Sequence, residues 1–224
     1  AVLEEGPYRG KHFWLCAVVG YINHKSGNNN TMGCTKRLRR SFELSLAAAP
    51  DFIVLPEWNE VNENTCVEPT LASGTAPQRI LKYYMHRLKN EAPAPNPGDD
   101  TELPNLVLSY RRVLKLGEAL ELELLNVPDS DRGASYVAQL SLKDPGGRTV
   151  REFPPETFTV KDLRDKTYSV PTEGLSQRVL MPSLAITAAD GSKRFFNEGF
   201  LYVEIRPTWN WDYLAVKQPL RDLL

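Results

Sequence analysis

The sequence predicts a chain of mixed class, an α/β part followed by an all-β part. Three observations carry that expectation. The first 90 residues alternate apolar runs with segments of helical spacing, a proline-rich stretch follows, and beyond it strict alternation of apolar and polar residues takes over.

"HFWLCAVVGYI", His12 to Ile22, is almost continuously apolar and rich in aromatic and β-branched residues. That is the pattern of a strand buried on both faces, as in a parallel sheet covered by helices. The polar loop Asn23 to Gly33 follows, and then Leu38, Phe42 and Leu46 fall on one helical face before Pro50. "FIVLPEW" is the second buried strand, with Phe52 to Leu55 as its apolar run. Ile80, Leu81, Tyr84, Met85 and Leu88 recur at helical spacing, and Pro77 suits a first turn. Two βα units of this kind leave each strand with an unpaired edge, so they do not close a sheet or barrel by themselves.

Residues 1–90 form the first expected domain and the acidic, proline-rich stretch 91–104 the linker. Residues 105–224 form the second, with "LELELL" and "SYVAQLSLKD" alternating strictly and "DPGGR" and "ADGSK" supplying hairpin turns. Further short strands are expected at Thr157 to Val160, Thr167 to Val170, Val179 to Thr187 and Phe200 to Ile205. Short strands at this density predict an antiparallel, immunoglobulin-like β-sandwich.

Hydrophobic residues make up 42% of the 224, enough for a real core, and the formal net charge is −1. A balance so close to zero supplies no global field for nucleic acid. The basic run Lys36, Arg37, Arg39 and Arg40 reads as the solvated face of a helix. No apolar stretch reaches the roughly 20 residues of a membrane span. Cys16, Cys34 and Cys66 lack metal-ligand spacing, so neither a metal nor another cofactor is expected. The chain opens at Ala1 and enters an apolar run without a leader, which reads as the continuation of a longer polypeptide.

Function is expected at "VLPEWNEVNENTCVEPT", where Glu57, Glu60, Glu63 and Glu68 crowd behind an apolar strand. Carboxylates at the end of a buried strand cost desolvation energy unless paired, and loops at the C-terminal ends of parallel strands are where α/β folds place their chemistry. Asn23 and His24 come at the equivalent place behind the first strand. Together with Asn59, Asn62 and Trp58 they offer amides, carboxylates and a flat apolar ring, which is equipment for a polyol ligand. Glu57 has two readings, an acid paired to an arginine or a substrate contact; Glu68 reads as a loop anchor, and Trp58 reads as core packing, with a sugar platform as the alternative. Trp209 and Trp211 in the tail "RPTWNWDY" read as packing, with a sugar platform as the alternative.

The segment "WNEVNENTCVEPT" resembles the "NEWHEGT-x-IEP" segment behind the last barrel strand of the endo-α-mannosidases of glycoside hydrolase family 99. Related segments occur in the family 71 α-1,3-glucanases and in WbsX-type barrel proteins. Asn59, Glu60, Glu63, Thr65, Glu68 and Pro69 match, whereas Val61, Asn62 and Asn64 replace a tryptophan, a histidine and a glycine. The resemblance covers roughly residues 12–90. It implies the C-terminal βα units of a (β/α)8 TIM-like barrel, with a missing N-terminal barrel segment as partner and an α-linked glycan or polysaccharide as substrate. It also implies that Glu60 deprotonates the sugar's 2-hydroxyl and that Glu63 is the general acid and then base. A polysaccharide substrate favours export. The three departures keep a second expectation open, a carbohydrate-binding or scaffold protein without turnover.

Overall fold

The computed structural model describes residues 9–23, 28–30, 33–61, 65–208 and 215–223, with only the backbone given at 22–23, 28–30 and 215. The chain divides into two compact units, Ala1–Glu68 and Pro69–Leu224.

In the first unit, β1 (Trp14–Cys16) is followed by the hairpin β2 (Tyr21–Asn23) and β3 (Asn28–Asn30), then α1 (Lys36–Ala48) and β4 (Phe52–Val54). β1 and β4 are parallel, with Trp14 opposite Phe52 and Cys16 opposite Val54. Asp51 fastens the pair, its carboxylate accepting from the Phe13 N–H at 2.6 Å while its own N–H donates to the Phe13 carbonyl at 2.8 Å. α1 buries Leu38, Phe42 and Ser45. Ser41 Oγ accepts from the Val18 N–H at 3.0 Å, so the helix also holds the chain where β1 has ended.

The expected (β/α)8 TIM-like barrel is not the fold. The described residues are 37% strand and 16% helix, with two α-helices among them and sheets that are mixed or antiparallel. The reason lies in the pairing of the strands. β4 pairs with β1, and the next described strand joins an antiparallel sheet in the other unit, so among the described residues no third parallel strand extends the pair. The run His12 to Ile22 is not one buried strand either; it leaves the sheet after Cys16 and bends at Val19 before β2. Phe52 and Val54, expected in a doubly covered strand, are 57% and 37% exposed.

In the second unit, α2 (Ala76–Lys89) precedes β5 (Leu106–Arg111), β6 (Val113–Lys115), β7 (Ala119–Asn126) and β8 (Ser135–Lys143). There follow β9 (Thr149–Glu152), β10 (Glu156–Thr159), β11 (Arg164–Pro171), β12 (Val179–Thr187), β13 (Lys193–Phe196), β14 (Val203–Arg206) and β15 (Ala215–Pro219). A 3-10 turn, Leu220–Leu223, closes the described chain. One sheet runs β11-β7-β5-β15; the other runs β10-β8-β12-β14-β6, with β9 on β8 and β13 on β12. Leu108, Leu122 and Leu124 of the first sheet share one buried cluster with Tyr136, Leu140, Leu184 and Ile186 of the second. β8 alternates without a break, its inward side chains buried and its outward ones not, as one covered face demands.

α2 and residues 91–104 belong to this second unit. Arg79 of α2 forks onto Asp99, 2.8 Å from each carboxylate oxygen, and reaches Asp222 at 3.2 Å. Arg221 donates to the same Asp99 at 2.8 Å, to Asp129, and to the Leu103 carbonyl at 2.7 Å. Thr75 completes the lock, its N–H donating to Asp222 at 2.6 Å. The proline-rich stretch is thus held at Asp99, and also at Pro95, whose carbonyl accepts from Lys82 Nζ at 2.7 Å.

Candidate functional site

Beyond Val54 the chain bends sharply. Glu57 adopts φ 72°, left-handed backbone that costs a side-chain-bearing residue about 1–2 kcal/mol. The loop is then clasped by its own backbone: the N–H groups of Val67 and Glu68 donate to the Trp58 carbonyl at 3.1 and 2.8 Å. The Glu60 carbonyl accepts from the Thr65 N–H at 3.3 Å and from its hydroxyl at 3.4 Å. Thr65 and Val67 are buried, so the clasp is anchored while Trp58, 58% exposed, stands out into solvent.

A cleft of about 300 Å³ opens past the C-terminal ends of β1 and β4, lined by Val18–Tyr21, Arg37, Pro56, Glu57 and Thr65. Its position follows from the local topology. α1 crosses between two parallel strands, which brings its first turn, and with it Arg37, to the end where both strands stop. The lining combines a guanidinium, a phenol, a carboxylate and a hydroxyl around an apolar wall. Such a set can donate to and accept from the hydroxyls of a bound polyol.

Of the residues expected here, Glu57 lines the cleft, whereas Trp58, Asn59 and Glu60 are not among its lining residues. Asn23 ends β2 opposite Asn28, and only its backbone is described. His24, Asn62 and Glu63 lie outside the described residues, as do Trp209 and Trp211. Tyr21, Arg37 and Thr65 are site residues that sequence reasoning did not select. Arg37 reads as one charge of a polar helix face, and only the parallel pairing of β1 with β4 shows that this helix end meets a cleft.

Among the described residues, no group of three or more His, Cys, Asp or Glu side chains is placed to hold a metal ion, and no disulfide joins Cys16, Cys34 and Cys66. No described helix is long and apolar enough to cross a membrane.

No protein-family model matches the chain, and no curated protein matches it. Among solved structures, the chain is similar to a β-glucosidase from Listeria innocua in complex with glucose, at 19% identity and a TM-score of 0.28. That match covers 45% of this chain and 16% of the glucosidase, so the chain corresponds to a small part of that protein's length. The CARDB domain of the PF1109 protein from Pyrococcus furiosus, in complex with di-metal ions, matches at 14% identity and a TM-score of 0.29. Here 47% of this chain and 96% of the other are covered. Neither likeness assigns a family or an activity.

Proposed function

We propose that the chain contributes the acidic loop of a glycoside hydrolase acting on an α-linked glycan or polysaccharide, with Glu60 and Glu63 as the acting carboxyls. One observation carries this reading. The glutamate-rich loop leaves the end of a strand in a parallel pair, beside a cleft whose Glu57, Arg37, Tyr21 and Thr65 suit sugar hydroxyls. Glycoside hydrolysis needs one carboxyl to protonate the leaving oxygen and another that is ionised, and a loop with several acids can supply both. In this reading Glu60 assists the sugar's 2-hydroxyl and Glu63 is the general acid, as the resemblance to families 99 and 71 implies.

The test compares Glu60→Gln and Glu63→Gln with the parent on an α-glycoside bearing an ordinary leaving group and on one bearing nitrophenolate. Loss of general-acid assistance lowers the rate by about 10² to 10⁴, and the activated substrate loses less with Glu63→Gln than with Glu60→Gln. Unchanged turnover in both variants overturns the assignment. A second reading, glycan binding without turnover, is favoured by the place of Glu57 rather than Glu60 on the cleft wall. It predicts that Glu57→Gln weakens glycan binding while no variant alters a rate.

A further inference from the structure

The open side of the second unit carries a site unrelated to the acidic loop. β9 and β10 lie one after the other along the same edge of β8, interrupted by Phe153, Pro154 and Pro155. β11 is the edge strand of the facing sheet. The two edges are joined where Tyr168 donates its hydroxyl to the Pro154 carbonyl at 2.7 Å and its ring meets that of Phe153 at 4.7 Å. Beside this joint a groove of about 770 Å³ opens between β9, the end of β11 and the loop leading to β12.

Its chemistry is one-sided. Arg148 and Arg151 stand on its wall together with Thr149, Ser176 and Gln177, and no carboxylate lines it. Glu152 and Glu173, the acids nearest in sequence, are not among its lining residues. Arg148 gives its Nε to Asp144 at 3.1 Å, which leaves its terminal nitrogens without a partner among the described residues. Arg151 is exposed and has no ion pair among them. The floor is aliphatic: Val170 is buried, and Val150 and Leu175 pack against the core.

We propose that this groove binds a sugar chain bearing negative groups, carboxylate or sulfate. The Arg151 guanidinium, and the terminal nitrogens of Arg148 whose Nε is held by Asp144, can grip a carboxylate or sulfate oxyanion through paired hydrogen bonds. The hydroxyl and amide side chains answer sugar hydroxyls, and the aliphatic floor accepts the C–H faces of the rings. Single-stranded nucleic acid suits the groove poorly, because base recognition needs aromatic stacking platforms and no aromatic side chain lines it. The choice of a sugar chain rests on the glycan reading above; the choice of a negative charge does not.

The experiment is calorimetric titration of the intact chain with tetragalacturonate, a sulfated tetrasaccharide, neutral maltotetraose and a short single-stranded DNA. One or both anionic sugars bind, and binding weakens as salt rises. Arg151→Gln weakens it at least about tenfold, because charge-assisted hydrogen bonds are lost. Gly174→Phe blocks it by filling the groove, since a Cβ at that position meets nothing within 4 Å and the fold can accept the new side chain. Unchanged thermal unfolding of both variants ties the loss to the groove. The preferred sugar decides between carboxylate and sulfate. Failure of both anionic sugars to bind, binding indifferent to both substitutions, or tighter DNA binding with the same arginine dependence each overturns the proposal. Hydrolysis measured in the same two variants with a neutral glycoside reads the acidic loop separately, so the two proposals fail independently.

Discussion

The two units solve the same problem to different degrees. In the second, strands of eight and nine residues bury one face against a facing sheet, and Leu122, Leu140 and Phe158 are sealed from water. In the first, two strands of three residues pair with each other, and the register that sets Trp14 opposite Phe52 leaves both rings more than half exposed. Backbone strain divides in the same way. Of the four described non-glycine residues with positive φ, Cys34, Ala49 and Glu57 lie in the first unit and only Asn90 in the second. Irregular backbone thus accumulates in the unit that carries the acidic loop, and long regular strands in the unit that supports its own core. Strain retained at a cleft is a feature of sites rather than of scaffolds.

The largest expected effect breaks the second unit's lock. Arg221 has a side chain 2% exposed and neutralises Asp99 and Asp129, themselves 7% and 6% exposed. Arg221→Met takes the cation from the buried Asp129 carboxylate, while Asp99 keeps Arg79, and should lower stability by about 3–5 kcal/mol in urea unfolding. A loss below about 1 kcal/mol would mean that water reaches the cluster, and the contrast between the units would weaken.

Paired core substitutions sharpen the contrast. Leu122→Ala should cost about 2–5 kcal/mol, because it opens a cavity in a sealed core. Phe52→Ala removes a larger ring but one already 57% exposed, and should stay within about 0.5 kcal/mol. Equal losses in the two variants would contradict the exposed strand face.

Acid should reach the lock before the core. Burial pushes the Asp99 carboxyl up, but hydrogen bonds from Arg79, the Asn96 N–H and Arg221 outweigh it and hold the group well below the usual carboxylate range. A carboxyl depressed in the folded state contributes stability that is complete above its unfolded pKa, about 3.9, and is lost as pH falls toward the folded value. Stability should therefore drop below roughly pH 4, and Asp99→Asn, although destabilising throughout, should flatten that slope. An unaltered slope in acid unfolding of the variant would remove Asp99 from the account.

The smallest effect concerns the strained glutamate. Glu57→Gly frees the left-handed backbone and removes the cleft's carboxylate, so stability should hold or rise by up to about 1 kcal/mol while glycan binding falls. Thermal unfolding and a binding titration on one sample check both halves. A clear loss of stability would mean that the side chain, rather than the backbone, governs the position.

Local pattern was legible in the sequence wherever one element could satisfy itself. Val179 to Thr187 is a strand with the bounds its alternation predicts, and the helices occupy the segments with the expected spacing, α2 with Pro77 in its first turn. The acidic loop was legible as a cluster, and Glu57 reaches the cleft wall. Tyr21 and Arg37 were not, because each belongs to an element of ordinary character and becomes a site residue only through the pairing of β1 with β4.

By itself, then, the sequence determined the periods of its helices and strands, its turns and its concentration of acids, since these depend on neighbours within a few residues. It did not determine which strands pair. Phe13 to Ile22 reads as one buried strand because apolar content says how much surface must be covered and not where the chain turns; the structure ends the strand at Cys16 and bends the chain at Val19. Glu123 shows the same limit from the polar side. Its alternation with Leu122 and Leu124 points it to water, yet it is 0% exposed, as are Val107, Ser109 and Leu125 on neighbouring positions. The outer face of that sheet is covered as well, where α2 contacts β15. Only tertiary structure could decide that, because burial is set by what another part of the chain brings to the face and not by the face itself.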